Sequence, residues 1–498
     1  MRRLMIVFSE VAARGVGVGR SWLLGEGSKG VTRGRRAGLL LLCISGASCT
    51  DTVTLLPGEP AASASAAAVP GPSGQFEWLT QFGSGLNDFG WDVRADELGT
   101  VYGSGGVFGA LLGQEHHGGI DAFVRKYDTE GRDLWTRQFG ADLYDHAYSV
   151  LPFGAAVYVG GPTSSGLFLE SNLGVVDAFL GKLDAATGVI LWGRQFGTKG
   201  PDELVRLFVD NTGVYAAGSV TGALPGMTHM GGADAFLRKY ESDGNEVWTH
   251  QFGTAVGDVA FGVSGDASGL YLAGRVGGPL PGQTHAGGPD AFVRKYDPSG
   301  NEIWTVQFGT AAIDFALDVA ADPTGLYAVG RTDGALPGQS HAGGPDAFVA
   351  RFDRGSGDVL WVRQFGTPAF DVARGISIRD GLVYVSGVTQ GALPGQVHAG
   401  GADVFVRAYS AGGDELWTWQ FGSELDDDNW SNSAGPSGLY ITGTTGGSLL
   451  GSVSLGGSDV FIGRIGPTRA GCMMRGWEAF GFRNQGECIR YVETGKEP

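Results

Sequence analysis

The chain has 498 residues, 42% of them hydrophobic, a normal content for a packed globular protein and too high for a disordered one. Glycine is abundant at 89 residues but follows no Gly-X-Y period, which excludes a collagen-like fold and predicts many tight turns. The formal net charge of −17 argues against binding to nucleic acid, or to a membrane through a basic patch, because an acidic surface repels phosphate backbones and anionic lipids.

The first segment has the layout of an export signal. Residues 37–47 form an apolar run too short to span a bilayer as a helix, and arginines precede it at positions 33, 35 and 36. The run leads into Gly46-Ala47-Ser48-Cys49, which resembles the bacterial lipobox, where small residues precede a cysteine that is lipidated and becomes the mature N-terminus. The resemblance implies lipidation at Cys49. Ordinary cleavage nearby is the alternative, because Gly46 stands where the lipobox usually has Leu, Val or Ile.

Residues 1–48 are therefore predicted to be a leader and residues 49–75 a tether. The charged part of this leader is abnormally long, so we expect translation to start at Val31, read from a GTG codon, and residues 1–30 to be absent from the precursor. The stretch 50–75 is rich in Ala, Ser and Pro, as flexible linkers are. After an anchored cysteine, such a tether would hold a folded domain away from the membrane surface.

One unit, exemplified by residues 287–309, occurs seven times between residues 76 and 466 with a period of 56 or 57 residues. Its aspartate recurs at Asp121, Asp177, Asp234, Asp290, Asp346, Asp403 and Asp459. Its tryptophan recurs at Trp78, Trp135, Trp192, Trp248, Trp304, Trp361 and Trp417. A fixed period indicates a repeat architecture, so we expect both residues to serve the structure of each repeat, the indole by packing between neighbouring repeats.

Each period carries four strand-like segments, which is the blade pattern of a β-propeller. The array begins part-way through a unit, at residues 77–83, and ends with the complementary part, at residues 459–465. Pairing these two fragments in one blade would close the ring and remove its open edges. We therefore predict an all-β fold, a seven-bladed β-propeller over residues 76–466, closed by its N- and C-terminal strands.

Residues 467–498 break the pattern and are predicted to form an appendage packed on the propeller. With Cys43 in the predicted leader and Cys49 lipidated, as the resemblance implies, Cys472 and Cys488 remain as one candidate disulfide of an oxidising compartment. Neither belongs to a C-x-x-C motif, which disfavours a metal or redox site.

A second aspartate follows the Gln of each Gln-Phe-Gly by seven residues, and a histidine precedes the repeat aspartate by five residues in five units. The second aspartates are Asp88, Asp145, Asp202, Asp258, Asp314, Asp371 and Asp427, and the histidines are His116, His229, His285, His341 and His398. Carboxylates and imidazoles are metal ligands, but Asp also accepts backbone N–H groups at turns. Because units two and seven have Asn172 and Ser454 in place of His, we interpret both sets as stabilising turns.

The acidic cluster at Asp426, Asp427 and Asp428 is a weak candidate for a calcium site, because it lacks the spacing of an EF-hand loop. No other metal or cofactor is predicted. The sequence has no G-x-S-x-G, H-E-x-x-H, Walker or Rossmann motif, so no catalytic or cofactor-binding residue is assigned.

The units, with Gly-Gly-Pro-Asp-Ala-Phe-Val-Arg-Lys-Tyr-Asp followed by Trp-Thr-x-Gln-Phe-Gly-Thr and Leu-Tyr-x-x-Gly, resemble the bacterial SBBP family, named for a seven-bladed β-propeller repeat. The resemblance covers residues 76–466 and implies an exported or surface protein without a shared reaction. A local resemblance rivals it: residues 184–192 look like the docking motif of quinoprotein propellers, whose relatives include dehydrogenases and an outer-membrane assembly lipoprotein. We interpret that match as convergence on a good hairpin.

The leading functional hypothesis is a non-enzymatic, monomeric binding or scaffolding propeller. It would be lipid-anchored at the bacterial outer membrane or cell surface, or alternatively secreted, and would bind a protein or glycan through long loops on one face. The competing hypotheses are an extracellular enzyme acting on polysaccharide, with its site at the mouth of the central channel, and a quinoprotein-like assembly lipoprotein. Polar departures from sevenfold symmetry should cluster at the channel in an enzyme and spread over the loop face in a binding protein.

Overall fold

Four antiparallel strands make up each repeat. The computed structural model describes residues 74–467, 472, 477, 480 and 482–494, and it contains seven four-stranded sheets. The sheets follow one another as blades around a ring, which confirms the predicted seven-bladed β-propeller. The predicted leader and nearly all of the tether, including Cys49, lie outside the described residues.

The strands are numbered in chain order, and within a blade each lies beside the next. The innermost strands, which surround the central channel, are β2 (Asp88–Ala95), β6 (Ser149–Phe153), β10 (Asp202–Asp210), β14 (Val259–Asp266), β18 (Asp314–Asp322), β22 (Asp371–Arg379) and β26 (Asp427–Gly435). The second strands are β3 (Val101–Val107), β7 (Ala156–Thr163), β11 (Gly213–Val220), β15 (Gly269–Val276), β19 (Gly325–Thr332), β23 (Leu382–Thr389) and β27 (Gly438–Thr445).

The third strands each begin at the repeat aspartate. They are β4 (Asp121–Tyr127), β8 (Asp177–Asp184), β12 (Asp234–Tyr240), β16 (Asp290–Tyr296), β20 (Asp346–Phe352), β24 (Asp403–Ser410) and β28 (Asp459–Pro467). The outermost strands carry the repeat tryptophan and are β5 (Asp133–Phe139), β9 (Ile190–Phe196), β13 (Glu246–Phe252), β17 (Glu302–Phe308), β21 (Val359–Phe365), β25 (Glu415–Phe421) and, in blade seven, β1 (Gly74–Phe82).

The ring closes through blade seven, as the sequence predicted. In that sheet the order is β1-β28-β27-β26, so the first strand of the array pairs with the last. The pairing is antiparallel and runs from Gly74 opposite Pro467 to Phe82 opposite Val460, with one irregularity near Trp78. Every other blade is continuous in sequence, so the two ends of the array meet only here.

The core lies between the blades, because each sheet is apolar on both faces. In one cluster, for example, Tyr215 and Leu237 of blade three pack against Leu272 and Phe292 of blade four, and all four are at most 1% exposed. Apolar burial of this kind stabilises by about 25 cal/mol per Å². A blade is therefore stable only beside its neighbours.

The predicted disulfide between Cys472 and Cys488 is present and buried. It connects to helix α1 (Gln485–Thr494), whose first turn is capped by the Asn484 side chain accepting from the Glu487 N–H at 2.9 Å. The Tyr491 hydroxyl of this helix donates to Glu77 on β1, and Glu77 also pairs with Arg464 on β28. The helix therefore contacts both strands that close the ring.

Candidate functional site: the loop face and the mouth of the channel

The long loop between the second and third strands of each blade lies at the same end of the ring as the connections between blades, and we call this end the loop face. In every blade the glutamine side chain of the Gln-Phe-Gly motif forms hydrogen bonds that fix this loop. Gln307, for example, accepts from the Leu280 N–H at 2.9 Å and donates to Asp290 at 2.7 Å. The equivalent glutamines are Gln81, Gln138, Gln195, Gln251, Gln364 and Gln420.

The repeat aspartates are fully buried and anchor the same loop. Asp290 also accepts the Ala286 N–H at 2.9 Å, and an N–H four residues earlier is bound in this way in every blade. In the five units that have it, the histidine Nδ1 lies 3.0–3.3 Å from the same carboxylate. Within the described residues no group of three or more His, Cys, Asp or Glu side chains is placed to hold a metal ion.

The second aspartates are fully buried beside the first set, at the start of the innermost strands. Asp258 accepts from the Thr254 hydroxyl at 3.1 Å and from the Gly277 N–H at 2.9 Å. A Cβ built on Gly253 would lie 2.5 Å from Asp258 and 2.9 Å from Asp234, so the glycine of Gln-Phe-Gly leaves room for both carboxylates. Burial raises the pKa of five members to about 6, namely Asp145, Asp202, Asp258, Asp371 and Asp427.

Asp426, Asp427 and Asp428, the weak candidates for a calcium site, lie in three different environments. Asp426 accepts the Ala402 N–H at 3.0 Å, and Asp427 belongs to the buried second set, where it accepts the Ser423 hydroxyl at 3.2 Å. Asp428 pairs instead with Arg374 on the innermost strand of blade six. The three carboxylates therefore face different partners.

The repeat tryptophans lie on the outermost strands, toward the hairpin turn of the next blade. Where the indole N–H is bonded, it donates to a carbonyl of that turn: Trp78 to Thr129, Trp135 to Ala185, Trp192 to Ser242, Trp304 to Arg354 and Trp361 to Ala411, at 3.2–3.4 Å. Residues 184–192, which resemble the quinoprotein motif, form an ordinary turn of this set. The indoles thus connect adjacent blades.

The innermost strands differ most in sequence from blade to blade. The analysis of the repeat unit did not single out the varying residues on these strands as functional candidates. The residue three positions after the second aspartate is Trp91, Tyr148, Val205, Phe261, Leu317, Arg374 and Trp430 in blades one to seven. In six blades this residue lies in a β-bulge, which re-aims side chains. Comparing this one position across units would have revealed the difference.

Four of these side chains, from blades six, seven, one and two, form a continuous series that we call the aromatic arc. The Arg374 guanidinium lies 4.0 Å from the centre of the Trp430 ring, which lies 4.7 Å from the Trp91 ring. Trp91 in turn lies 5.0 Å from the Tyr148 ring and donates to His146 at 2.8 Å. The opposite wall of the channel carries aliphatic side chains or Phe261.

Beneath the arc, buried charged side chains from three blades meet across the channel. Arg206 of blade three reaches Asp92 of blade one at 3.1 Å and Asp318 of blade five at 3.7 Å. Asp92 also accepts the Ser431 hydroxyl of blade seven at 2.6 Å. These residues lie one position farther from the loop face than the arc.

Two residues nearer the loop face than the arc lie Glu203, His146, Asp428 and Phe89, and the Phe89 ring stacks on Trp91 at 5.8 Å. Burial raises the pKa of Glu203 to about 7, with Asp202 adding to the rise, and burial lowers the pKa of His146 to about 3. One carboxylate oxygen of Glu203 is buried and has no hydrogen-bond partner among the described residues. Nearby, the hydroxyls of Tyr144 and Tyr148 lie 2.7 Å apart.

Exposed hydrophobic side chains are distributed unevenly over the loop face. Most of its exposed large hydrophobic side chains belong to blades seven, one and two or to the connections leading into them: Leu86, Leu112, Leu143, Leu169, Leu173, Val175, Leu425, Leu450, Val453 and Leu455. The other four blades contribute Met230, Val256 and Val397. We call the first set the apolar sector.

Backbone strain marks the same sector. Leu169 is fully exposed, with a φ of 68°, and it stands where the regular loops have a glycine such as Gly338 with a φ of 73°. Phe168 and Leu450 also have positive φ. A bulky residue held in this region costs on the order of 1 kcal/mol, and such strain clusters at functional sites.

Comparison with known proteins gives few similarities in sequence. No family model matches the chain. The chain is 28% identical over 316 residues to the regulatory protein FlaEY of Caulobacter vibrioides, a match that covers 56% of this chain and 33% of that protein. The chain thus spans about a third of that relative's length.

The backbone of this chain is similar to those of solved β-propellers. The quinohemoprotein alcohol dehydrogenase of Comamonas testosteroni has a TM-score of 0.42 and 12% identity, covering 78% of this chain and 76% of that one. The WD40 propeller domain of Doa1 has a TM-score of 0.44 and 12% identity, covering 78% and 96%. The fold assignment rests on the strand pairing described above, and these similarities say nothing about activity.

Proposed function

We propose that this chain is a non-enzymatic binding propeller that captures a protein partner on its loop face through the apolar sector. The observation that carries the proposal is Leu169, an exposed leucine held in a left-handed conformation where all six other blades have glycine. Folding alone gains nothing from such a residue, whereas an exposed apolar contact can stabilise a complex.

The direction of the chain supports the loop face as the free face. Strand β1 begins at Gly74 and runs toward Phe82, which leads directly into the loop-face connection before Asp88. The described chain therefore enters the propeller at the opposite face, where a tether ahead of Gly74 would join it. A domain anchored through Cys49 at the outer membrane or cell surface would present the apolar sector away from the membrane. No described helix is long and apolar enough to cross a bilayer.

The partner would be recognised by apolar contact, with basic groups around it. The loops carry few charges of their own, but the chain is strongly acidic, so complementary basic residues on the partner would speed association. A glycan is the less suitable occupant of the apolar sector, because aliphatic leucine and valine side chains offer no hydrogen bonds to hydroxyl groups.

Site-specific photo-crosslinking tests this proposal in the intact, exported protein. A photoreactive amino acid is placed at position 169 or 112 in the apolar sector, and at position 337 on blade five as the matched control. We expect one discrete protein adduct from positions 169 and 112 and none from position 337. The adduct partner is then purified, and Leu169→Gly should weaken its binding at least tenfold. Equal labelling from position 337, or no adduct at all, would refute the proposal.

Attachment to the membrane is tested separately. Replacing Cys49→Ser should abolish labelling of the protein by radioactive palmitate and release it from the membrane fraction. A membrane-bound Cys49→Ser protein would show that the chain is not anchored at this cysteine.

An enzyme with its site at the channel remains the second candidate, and one observation favours it. The departures from sevenfold symmetry include polar groups clustered at the mouth of the channel, among them Glu203 with a pKa raised to about 7 by burial. A carboxyl of that pKa is suited to proton transfer near neutral pH. Hydrolysis of a polysaccharide by the wild-type protein and its loss in Glu203→Gln would establish this function.

A further inference from the structure

We propose that Met227, in the long loop of blade three, is an oxidation site: a peroxide converts its thioether to a sulfoxide, whose oxygen accepts the Gln251 N–H and fastens the loop to strand β13. The site lies outside the apolar sector and does not depend on a protein partner there. The proposal follows from comparing blade three with the four blades that have glutamine at the position of Met227.

In blades one, four, five and six, this glutamine joins the long loop to the outermost strand. Gln283 Oε1, for example, accepts the backbone N–H of Gln307 at 3.0 Å. The equivalent bonds, 3.0–3.1 Å long, join Gln114 to Gln138, Gln339 to Gln364 and Gln396 to Gln420. Each bond ties the loop to a strand edge that has no neighbouring strand in its sheet.

Met227 takes the place of the glutamine in blade three, on the same loop backbone. Its N–H donates to the Leu224 carbonyl at 2.9 Å, as the Gln283 N–H does to the Leu280 carbonyl. The glycine before Met227 has a φ of 76°, and the glycine before Gln283 has a φ of 74°. Both side chains are partly buried, so an oxidant in solution reaches the Met227 sulfur.

The backbone N–H of Gln251 is the donor that lacks this acceptor. Gln251 has the same register in its sheet as Gln307 in the next blade, so the two N–H groups point the same way, out of the sheet edge. Among the described residues, the bonds from Gln251 to the loop of its own blade come from its side chain, to Leu224 and Gly222. A thioether sulfur is only a weak acceptor, so the N–H is left for a stronger one.

Oxidation supplies that acceptor at the matching atom. The peroxide transfers one oxygen to the sulfur: its O–O bond breaks, an S–O bond forms, the sulfur loses two electrons, and water or an alcohol leaves. The new oxygen is bonded to the δ atom of the side chain, as Oε1 is in glutamine. A polar group at this position is compatible with the fold, because four blades already hold a glutamine there.

Met230, three residues later, is the internal control. Its side chain is 49% exposed, and the loops of blades four to six have Ala286, Ala342 and Ala399 at this position. No other blade therefore places a side-chain acceptor on β-strand N–H groups from here, and oxidation of Met230 should add no bond.

The experiment is hydrogen exchange of the full-length protein before and after mild treatment with hydrogen peroxide, read by mass spectrometry at the Gln251 amide. Once Met227 is oxidised, exchange there should slow about tenfold. Met227→Gln should show the slow exchange without peroxide and no further change with it. Met227→Leu should exchange like the untreated wild type in both conditions, and Met230→Leu should respond to peroxide as the wild type does.

The two epimers of the sulfoxide sharpen the test. Peroxide forms both, and only the epimer whose oxygen points toward β13 can accept the N–H, so exchange should split into a fast and a slow population. One of the two epimer-specific methionine sulfoxide reductases should remove the slow population. Oxidised Met227 without any slow population would overturn the proposal. Equal slowing in Met227→Leu, or a Met227 that stays reduced while Met230 is fully oxidised, would also overturn it.

Discussion

At the scale of single residues, positions that are the same in every repeat have different roles from positions that vary between repeats. The repeat glutamine and the two aspartates hold a loop and a connection in every blade, as Gln251, Asp234 and Asp258 do in blade three and at the start of blade four. Their carboxylates are buried close together, so folding must bring negative charge out of water. Stability should therefore depend on their protonation.

The free energy of unfolding should rise as the pH falls from 7.5 to 5. Burial raises the folded-state pKa of Asp258 and four equivalents to about 6, above the value of 3.8 for a free carboxyl. Such a group stabilises the folded state fully below pH 3.8, and this stabilisation is lost as the pH rises through 6. Each carboxyl contributes on the order of 1 kcal/mol over this pH range, measured by urea unfolding.

Asp258→Asn should reduce the change in unfolding free energy between pH 7.5 and 5 by the contribution of one carboxyl, about 1 kcal/mol, because an amide does not titrate. The control is Asp243→Asn, which removes the same charge from an exposed hairpin turn and so separates titration of a buried group from the loss of net charge. A pH slope in Asp258→Asn equal to that of the wild type would show that Asp258 is ionised throughout the range.

Leu169→Gly should raise the free energy of unfolding by up to about 1 kcal/mol, since glycine adopts a φ of 68° without steric cost. The reciprocal change Gly338→Leu should destabilise by a similar amount, because the backbone there has a φ of 73°. Thermal or urea unfolding of the two variants measures both effects. A loss of stability in Leu169→Gly would mean that the leucine contributes to folding and is not strained for another purpose.

At the scale of elements, blade seven lacks the hairpin turn that every other blade has between its third and outermost strands. The turns of blades one to six pack on a tryptophan of the preceding blade, as Gly413 of blade six does on Trp361. Trp417 of blade six has no such turn to pack on. Instead Phe480 of the appendage stacks on Trp417 at 5.4 Å with an interplanar angle of 7°. The appendage thus fills the place of the missing hairpin.

Phe480→Ala should therefore lower the free energy of unfolding by about 1–3 kcal/mol, through the lost stacking and apolar burial over the closing blade. The control Leu360→Ala removes a side chain of similar size that is 53% exposed on an outermost strand, and should have little effect. Urea unfolding compares them. If both variants were as stable as the wild type, the appendage would not contribute to ring closure.

At the scale of the whole molecule, seven nearly equal units build a ring whose loops and channel-lining side chains are not sevenfold symmetric. The repeat, the four strands of each blade and the closure by β1 and β28 could all be predicted, because each follows from periodicity and turn residues within one unit. The loop carrying the repeat histidine also looks alike in blades three to six. Blades seven, one and two depart from it, and they also carry the two tryptophans of the arc.

The channel could not be predicted in this way. Asp92, Arg206 and Asp318 come from blades one, three and five and meet only because the ring brings their strands together. Nothing in the local sequence of Asp92 specifies a partner more than a hundred residues away. The stacking of Phe480 on Trp417 could not be predicted for the same reason, since nothing in the sequence specifies where the appendage packs on the propeller.

The most direct test of the account exchanges two loops of equal length, residues 165–175 of blade two and residues 334–344 of blade five. The affinity for the crosslinked partner and the free energy of unfolding are measured for each exchange. Giving blade two the regular loop should abolish partner binding while keeping or raising stability, and giving blade five the irregular loop should leave binding intact. Wild-type affinity in the blade-two exchange, or loss of binding only in the blade-five exchange, would contradict a binding surface on the apolar sector.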